Sequence, residues 1–391
     1  MKEKQLNRRD FTRNALLAAG ELSLLSSSRP LFAASLWHHD KKLTVHVGKT
    51  VEITRAKDRC WFPSIYQFAN KDLMVDMSMH ADTVHPEGGF REAYCISRDG
   101  GATWSERYPV DTFRGVWAET PSADGSVWTV SSHVIGKESE QDFLFERTHL
   151  VDTGATGNGS GITIRKRNDI KLHMNSPIQG VMFTGSILPS RDGGLLTCVY
   201  THTQAQPKYY HVSIARSDDN GLTWREGTII SSVPNEDQPL PGMGKEGPCE
   251  AGLVRLRDGR LFVIYRTGSD GYMGVAWSSD EGRTWTPPKL IPYKGVEPRV
   301  RLLSNGILAC STGRPGPVTM MFSLDGTGKK WSNFTNIFSD MSTRYTEFVE
   351  LAPGKLFLVY DGVPYGWKEI PSGDEKAQNV IYGTYVDLEL H

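Results

Sequence analysis

Six times along the chain an apolar run gives way to a short polar turn and is followed at once by a second apolar run. The turns are Asn70-Lys71, Asp124-Gly125, Asp192-Gly193, Asp258-Gly259, Asn305-Gly306 and Pro353-Gly354. Residues of these kinds favour tight reversals, so each unit predicts a β-hairpin. The hairpins are expected over 64–77, 120–130, 186–200, 253–265, 302–310 and 349–360. Successive turns lie 54, 68, 66, 47 and 48 residues apart, enough chain between turns for a four-stranded blade. The expected fold is all-β, a six-bladed β-propeller of four-stranded antiparallel blades. A further alternating segment at 43–53 is expected to lie beside 382–390, completing the last blade and removing an open edge.

A second pattern follows the hairpins. Ser97-Arg98-Asp99-Gly100-Gly101-Ala102-Thr103-Trp104 is matched by Ser217-Asp218-Asp219-Asn220-Gly221-Leu222-Thr223-Trp224 and by Ser278-Ser279-Asp280-Glu281-Gly282-Arg283-Thr284-Trp285. Ser323-Leu324-Asp325-Gly326, reaching Trp331 after an extra residue, is a degenerate fourth copy. The aspartate is suited to accept hydrogen bonds within a tight turn. Glycine supplies a positive φ, and the tryptophan packs over the hairpin. These are Asp boxes, and through them the chain resembles the sialidase (neuraminidase) superfamily of six-bladed propellers over residues 45–391. Asp boxes are folding punctuation, so they speak for the fold more than for an activity.

Composition narrows the picture. The 391 residues carry a formal charge of −1 and include 38% hydrophobic residues. That supplies ample core and gives no electrostatic footprint for nucleic acid or an anionic membrane. Residues 1–34 read as an address rather than as fold. Asn7-Arg8-Arg9-Asp10-Phe11 resembles a twin-arginine export signal, with an apolar stretch at Ala15-Leu16-Leu17-Ala18-Ala19 and small residues at Phe32-Ala33-Ala34. The expected organisation is therefore an export signal over 1–34 and a propeller over 35–391, with the mature protein outside the cytoplasm. Beyond residue 35 no run approaches the ~20 apolar residues of a membrane span. The five cysteines, Cys60, Cys95, Cys198, Cys249 and Cys310, are odd in number and form no Cys-x-x-Cys pair. Neither a metal cage nor a full disulfide framework is expected, although a Cys60–Cys249 bridge stays open. The glycine-rich run at 154–161 lacks the lysine and spacing of a phosphate loop and reads as a connection between blades. No cofactor or metal is expected, the partner is expected to be a glycan or glycoconjugate, and a monomer is expected.

A hairpin sets the start of its first strand beside the end of its second, far from the turn. Radial packing of six hairpins gathers those ends around one axis. Functional side chains are therefore expected seven to ten positions from each turn. That criterion selects Glu250, Arg266, Arg314, Tyr345, Asp361 and Arg59 or Trp61, with His202 and Trp117 as further candidates.

The resemblance assigns roles to this set. Sialidases hold the substrate carboxylate with three arginines, use a Tyr–Glu pair as nucleophile and base, and use an Asp as acid/base. The resemblance implies Tyr345 as nucleophile, Glu250 as its base, and Arg266 and Arg314 as two clamp residues, with Arg299 as a rival third. These types suit a sugar carrying a carboxylate at its anomeric carbon. Arginine forks bind that group, and a neutral phenol is not repelled by it. With a pKa near 10, the phenol needs a base such as Glu250. Tyrosine nucleophiles are the known sialidase exception among glycosidases.

Two positions depart from the family pattern. Where the family has arginine two residues before a proline, this chain has Trp61, in Arg59-Cys60-Trp61-Phe62-Pro63. Strand alternation would put Arg59, Trp61 and Pro63 on one face, so Arg59 could reach toward the clamp and Trp61 could stack on a sugar. For the acid/base, Asp82 is best placed, but His80, His85, Glu87 and Glu92 crowd the same segment. The expected function is an exo-glycosidase of sialidase type acting on a terminal acidic sugar. The alternatives are a related propeller enzyme for another sugar and a non-catalytic glycan-binding propeller.

Overall fold

The computed structural model describes residues 42–391 except 58, 81–91, 111–115, 122–123, 155–158, 204–207 and 234–239. The twin-arginine segment lies outside the described residues. No helix among the described residues is long and apolar enough to cross a membrane.

All six predicted hairpins form, each as the two inner strands of a blade. They are Trp61–Gln67 with Leu73–Ser78, Val116–Pro121 with Val127–Ser131, and Ile178–Pro189 with Leu195–Thr203. Cys249–Arg255 with Leu261–Arg266, Val296–Leu302 with Leu308–Gly313, and Thr346–Ala352 with Lys355–Gly362 complete the set. The turn residues explain the reversals. Gly125, Gly193, Gly259, Gly306 and Gly354 all have positive φ, and Lys71 takes the same conformation, at 74°, in blade one. Third and fourth strands follow in order in the first five blades. Blades two and three are joined into one sheet by two short parallel pairings, Lys171–His173 with Thr223–Arg225 and Gly185–Ser186 with Ala118–Glu119.

Blade six is built from both ends of the described chain. Leu43–Ala56 pairs antiparallel with Asn379–Leu390, placing Leu43 opposite Leu390, as the alternation predicted. The glycine-rich run needs correction. Its flanking strands, Asp142–Asp152 and Ile162–His173, pair with Asp152 opposite Ile162. Gly154 and Gly161, both at positive φ, thus belong to a hairpin inside blade two rather than to a connection between blades.

Middle strands lose the alternation of a half-exposed sheet. Leu73–Ser78, Glu92–Ser97, Leu261–Arg266 and Leu308–Gly313 are buried at every position, because neighbouring blades cover both faces of each sheet. The five cysteines sit in these interfaces as free, buried thiols. No Cys60–Cys249 bridge forms, and burial pushes the Cys60 thiol up to about 12.

Each full Asp box closes the turn between third and fourth strands. Asp219 accepts from Ser217 Oγ, Thr223 N and Thr223 Oγ1 at 2.9, 2.8 and 2.6 Å, and Trp224 Nε1 donates to the Gly221 carbonyl. Asp99 and Asp280 repeat the arrangement. In the degenerate copy Asp325 keeps its Ser323 and Thr327 donors, but the displaced Trp331 N–H has no hydrogen-bond partner among the described residues.

One irregularity recurs where the inner strands begin. The register shifts between Trp61 and Ser64, Val116 and Ala118, Ile178 and Val181, Cys249 and Ala251, and Val296 and Arg299. Phe62, Glu250 and Glu297 sit at these bulges with φ of 53°, 39° and 38°. A bulge resets the alternation and re-aims the side chain it carries. Blades one, four and five thus turn Phe62, Glu250 and Glu297 at the open ends of their hairpins.

Candidate active site

Three of the predicted residues meet at the open ends of the hairpins. The Tyr345 hydroxyl donates to Glu250 Oε1 at 2.5 Å, although the two are 95 residues apart. Arg266 Nη1 donates to the same carboxylate oxygen at 2.6 Å and to Tyr345 Oη at 3.1 Å. Glu250 reaches this position from a bulge, Arg266 ends the adjacent strand, and Tyr345 immediately precedes the inner strand of blade six. All three are buried. The other Glu250 oxygen accepts the backbone N–H of Glu297 at 3.0 Å.

Electrostatics fix the protonation pattern. Burial, reinforced by the negative charge of Glu250, raises the Tyr345 phenol well above its usual value, with Arg266 opposing. The resting phenol is neutral and bonded to its acceptor. Burial also works against the Arg266 charge, but Glu250 and Tyr345 outweigh it and the guanidinium ends above its ordinary value. A proton leaving Tyr345 has Glu250 as acceptor, and the nascent phenolate has a cation at hydrogen-bond distance.

Arg314 approaches from blade five. Its Nη2 donates to the Thr343 carbonyl at 2.7 Å, and its guanidinium lies 5.7 Å from the Tyr345 ring centre and 4.8 Å from that of Trp367. Its Nη1 donates to Ser269 Oγ at 3.1 Å, and Arg266 Nη2 donates to the same oxygen at 3.1 Å. Two guanidinium groups from neighbouring blades therefore converge on a single oxygen position.

The remaining candidates are distributed around this centre. Trp61 is buried, donates to the His80 carbonyl at 3.0 Å and packs against Phe62 and Trp367. Its indole is wall rather than an open stacking face. Arg59 lies over Trp61 and donates to the Trp367 and Lys368 carbonyls, both at 2.9 Å. The alternation that would align Arg59, Trp61 and Pro63 is broken by the bulge at Phe62, and Phe62 meets Tyr345 edge-on at 4.9 Å. Asp361 is a brace. It accepts from Phe62 N, Ser342 Oγ and Thr343 N and Oγ1, tying blade one to the segment that carries Tyr345. Arg299 is buried between two carboxylates, 2.6 Å from Glu297 and 3.0 Å from Glu347. His202 packs against Tyr210 with the rings tilted and their centres 3.7 Å apart. Asp82, His85, Glu87 and the Trp117 side chain lie outside the described residues. Of the rivals to Asp82, His80 and Glu92 pair with each other at 3.2 Å.

Four residues at or beneath the site carry no sequence signal of comparable strength. Glu246 binds Arg266 Nη2 at 2.7 Å. Glu297 lies beneath Glu250, and burial raises its carboxyl to about 8. Ser269 bridges the arginines. Trp367 is 41% exposed, an aromatic face beside Arg314 in the segment beyond Asp361. No group of three or more metal-ligating side chains occurs among the described residues.

Comparisons with known proteins bear on this arrangement. Residues 123–332 match the family model of the BNR repeat-like domain. A sialidase of Micromonospora viridifaciens is 24% identical over 310 residues, covering 68% of this chain and 44% of that protein, so this chain spans less than half the relative's length. A Hadza microbial sialidase superposes with a TM-score of 0.56 at 15% identity, over 83% of this chain and 65% of that one. Penicillium chrysogenum α-L-arabinanase complexed with arabinobiose superposes with a TM-score of 0.59 at 14% identity, over 88% of this chain and 98% of that one. At these identities the structural likeness is one of fold.

Proposed function

The chain belongs to the BNR repeat-like domain family within the sialidase superfamily, and on that premise we propose that it is an exported, retaining exo-glycosidase of sialidase type releasing a terminal acidic sugar from glycans. The observation that carries this reading is the Tyr345 hydroxyl at 2.5 Å from Glu250, with Arg266 bonded to both. In the first step the Tyr345 oxygen forms a bond to the anomeric carbon as the glycosidic C–O bond breaks. The phenolic proton passes to Glu250, and Asp82 protonates the departing oxygen. In the second step Asp82 takes a proton from water as that water attacks the anomeric carbon. The Tyr345–carbon bond breaks and Glu250 returns the proton. Arg266 and Arg314 hold the sugar carboxylate, with Arg59 as a candidate third contact and Trp61 as part of the wall.

The tyrosine is suited to this substrate class. A carboxylate nucleophile would approach an anomeric carbon that bears a negative group, whereas the resting phenol is neutral. A second reading is favoured by Phe62, which presents an aromatic edge to Tyr345 beside the position where the family carries its first arginine. On that reading the sugar is another acid, matched to a two-arginine clamp with an apolar wall. The export signal and the extracytoplasmic site of action belong to the same proposal.

Purified residues 35–391 are assayed on fluorogenic sialosides and a panel of other acidic glycosides, beside Tyr345→Phe. Sialoside turnover falling at least ~1,000-fold in the variant is the expected result. Turnover of only another acidic glycoside selects the second reading. Glycan binding with no turnover by the unmodified protein overturns the enzyme.

A further inference from the structure

Hydrogen-bond accounting at Arg266 exposes a conflict that the clamp has to resolve. The four Nη–H groups of this side chain are all engaged. Two go from Nη1 to Glu250 and Tyr345, and two from Nη2 to Glu246 and Ser269. The Nε–H is buried and makes no hydrogen bond among the described residues, so an incoming anion bonds to the Nη face of Arg266 only by replacing a partner. Glu250 and Tyr345 are the reacting pair, and displacing Glu246 would break an ion pair at 2.7 Å. Ser269, at 3.1 Å, is the neutral partner outside the reacting pair, so it is the one displaced at least cost.

Its location is also the right one. Ser269 Oγ is the oxygen on which Arg266 and Arg314 converge, 3.1 Å from a nitrogen of each. A carboxylate oxygen placed there would receive the same two N–H groups with both partners charged, at shorter distance and with greater strength. Ser269 lies between Gly268 and Gly271 in the segment joining Leu261–Arg266 to Tyr272–Ser278. Rotation about its Cα–Cβ bond carries the hydroxyl away without any backbone movement.

The geometry points to Ser269 as a stand-in for the substrate: in the free protein its hydroxyl occupies the carboxylate oxygen position of the anion clamp, and binding exchanges one oxygen for the other. Ser269 is thus an affinity-setting residue that holds the two guanidinium groups in their binding arrangement and competes with every anionic ligand. This inference rests on the clamp proposed above, but it concerns binding and does not require turnover.

The test titrates the intact 35–391 protein with sodium acetate at constant ionic strength, read by calorimetry, in four forms: unmodified, Ser269→Ala, Ser269→Asp and Arg314→Ala. Ser269→Ala is expected to bind acetate about three- to ten-fold more tightly, the gain from removing one neutral competitor. Ser269→Asp, which places the chain's own carboxylate in the clamp, is expected to abolish binding, and Arg314→Ala to weaken it at least ten-fold. With an acidic glycoside that is turned over, Ser269→Ala lowers KM by a similar factor. Acetate binding unchanged or weakened in Ser269→Ala, no binding by that variant, or binding retained in Ser269→Asp overturns the inference. If the acetate series behaves as stated while no acidic glycoside is turned over, the catalytic reading fails and this one stands. Turnover beside a flat acetate series gives the converse.

Discussion

The two ends of the propeller handle charge in opposite ways. At the end where the hairpins turn, carboxylates are well supplied with donors. Asp99 and Asp280 are held below their ordinary values, first by the hydroxyls of Thr103 and Thr284. Glu281, gripped at 2.7 Å by both Nη atoms of Arg255, is pulled down to about 2. Deeper in the molecule a second set of carboxylates is buried away from solvent. Burial raises Asp76, Glu119, Asp361 and Glu297. One end uses ionised side chains to fold the chain. The other holds charges in a dry setting where their mutual interactions are strong and any unpaired member is expensive.

The contrast is broken most severely by Arg266→Ala. It removes the cation from a buried cluster and leaves Glu250 without its charged partner, a change costing roughly 3–5 kcal/mol of stability along with the activity. Denaturant unfolding and the glycoside assay are expected to report both losses together. Asp219→Ala attacks the other end. The turn loses the acceptor for Ser217, Leu222 and Thr223, for about 1–2 kcal/mol, while activity per folded molecule stays as it was. An equal activity loss in the two variants would erase the distinction between the ends.

The smallest effect sharpens the comparison through pH. Glu297 has a folded value of about 8 against an ordinary 4.5, so between those limits the folded state binds the extra proton and stability falls as pH rises. Glu281 works in the other direction. Its folded value near 2 against 4.5 gives stability that is present above 4.5 and lost as pH falls toward 2. Thermal midpoints are expected to be highest near pH 5. Glu297→Gln should flatten the alkaline limb by a few degrees and leave the acid limb alone. An alkaline limb unchanged in that variant would remove Glu297 from this role.

What was legible in the sequence follows the same division. Turn chemistry is local, so Gly125, Gly259 and their counterparts disclosed six hairpins, and the Asp boxes disclosed the turns beyond them. Glu250, Arg266 and Tyr345 were legible because hairpin ends sit at a fixed count from the turn, whatever the distance along the chain. Arg59 and Trp61 were harder because side-chain alternation holds only within an unbroken strand, and the bulge at Phe62 interrupts it. Arg299 resembled a clamp residue by type, but its strand is also bulged and its charge goes to Glu297 and Glu347. Ser269, Glu246 and Trp367 were silent. Each matters through a contact between segments that no spacing rule connects.

The pairing of Leu43–Ala56 with Asn379–Leu390 places the clasp of the ring 347 residues apart in sequence, as the Thr44–His391 hydrogen bond records. Loop-closure entropy grows only logarithmically, so so long a loop adds little cost beyond that of a short one. Timing is affected far more. Five blades have all their strands in sequence order, whereas the sixth waits for the last segment to become available, which makes circularisation the terminal event of assembly and leaves a strand edge unsatisfied until then.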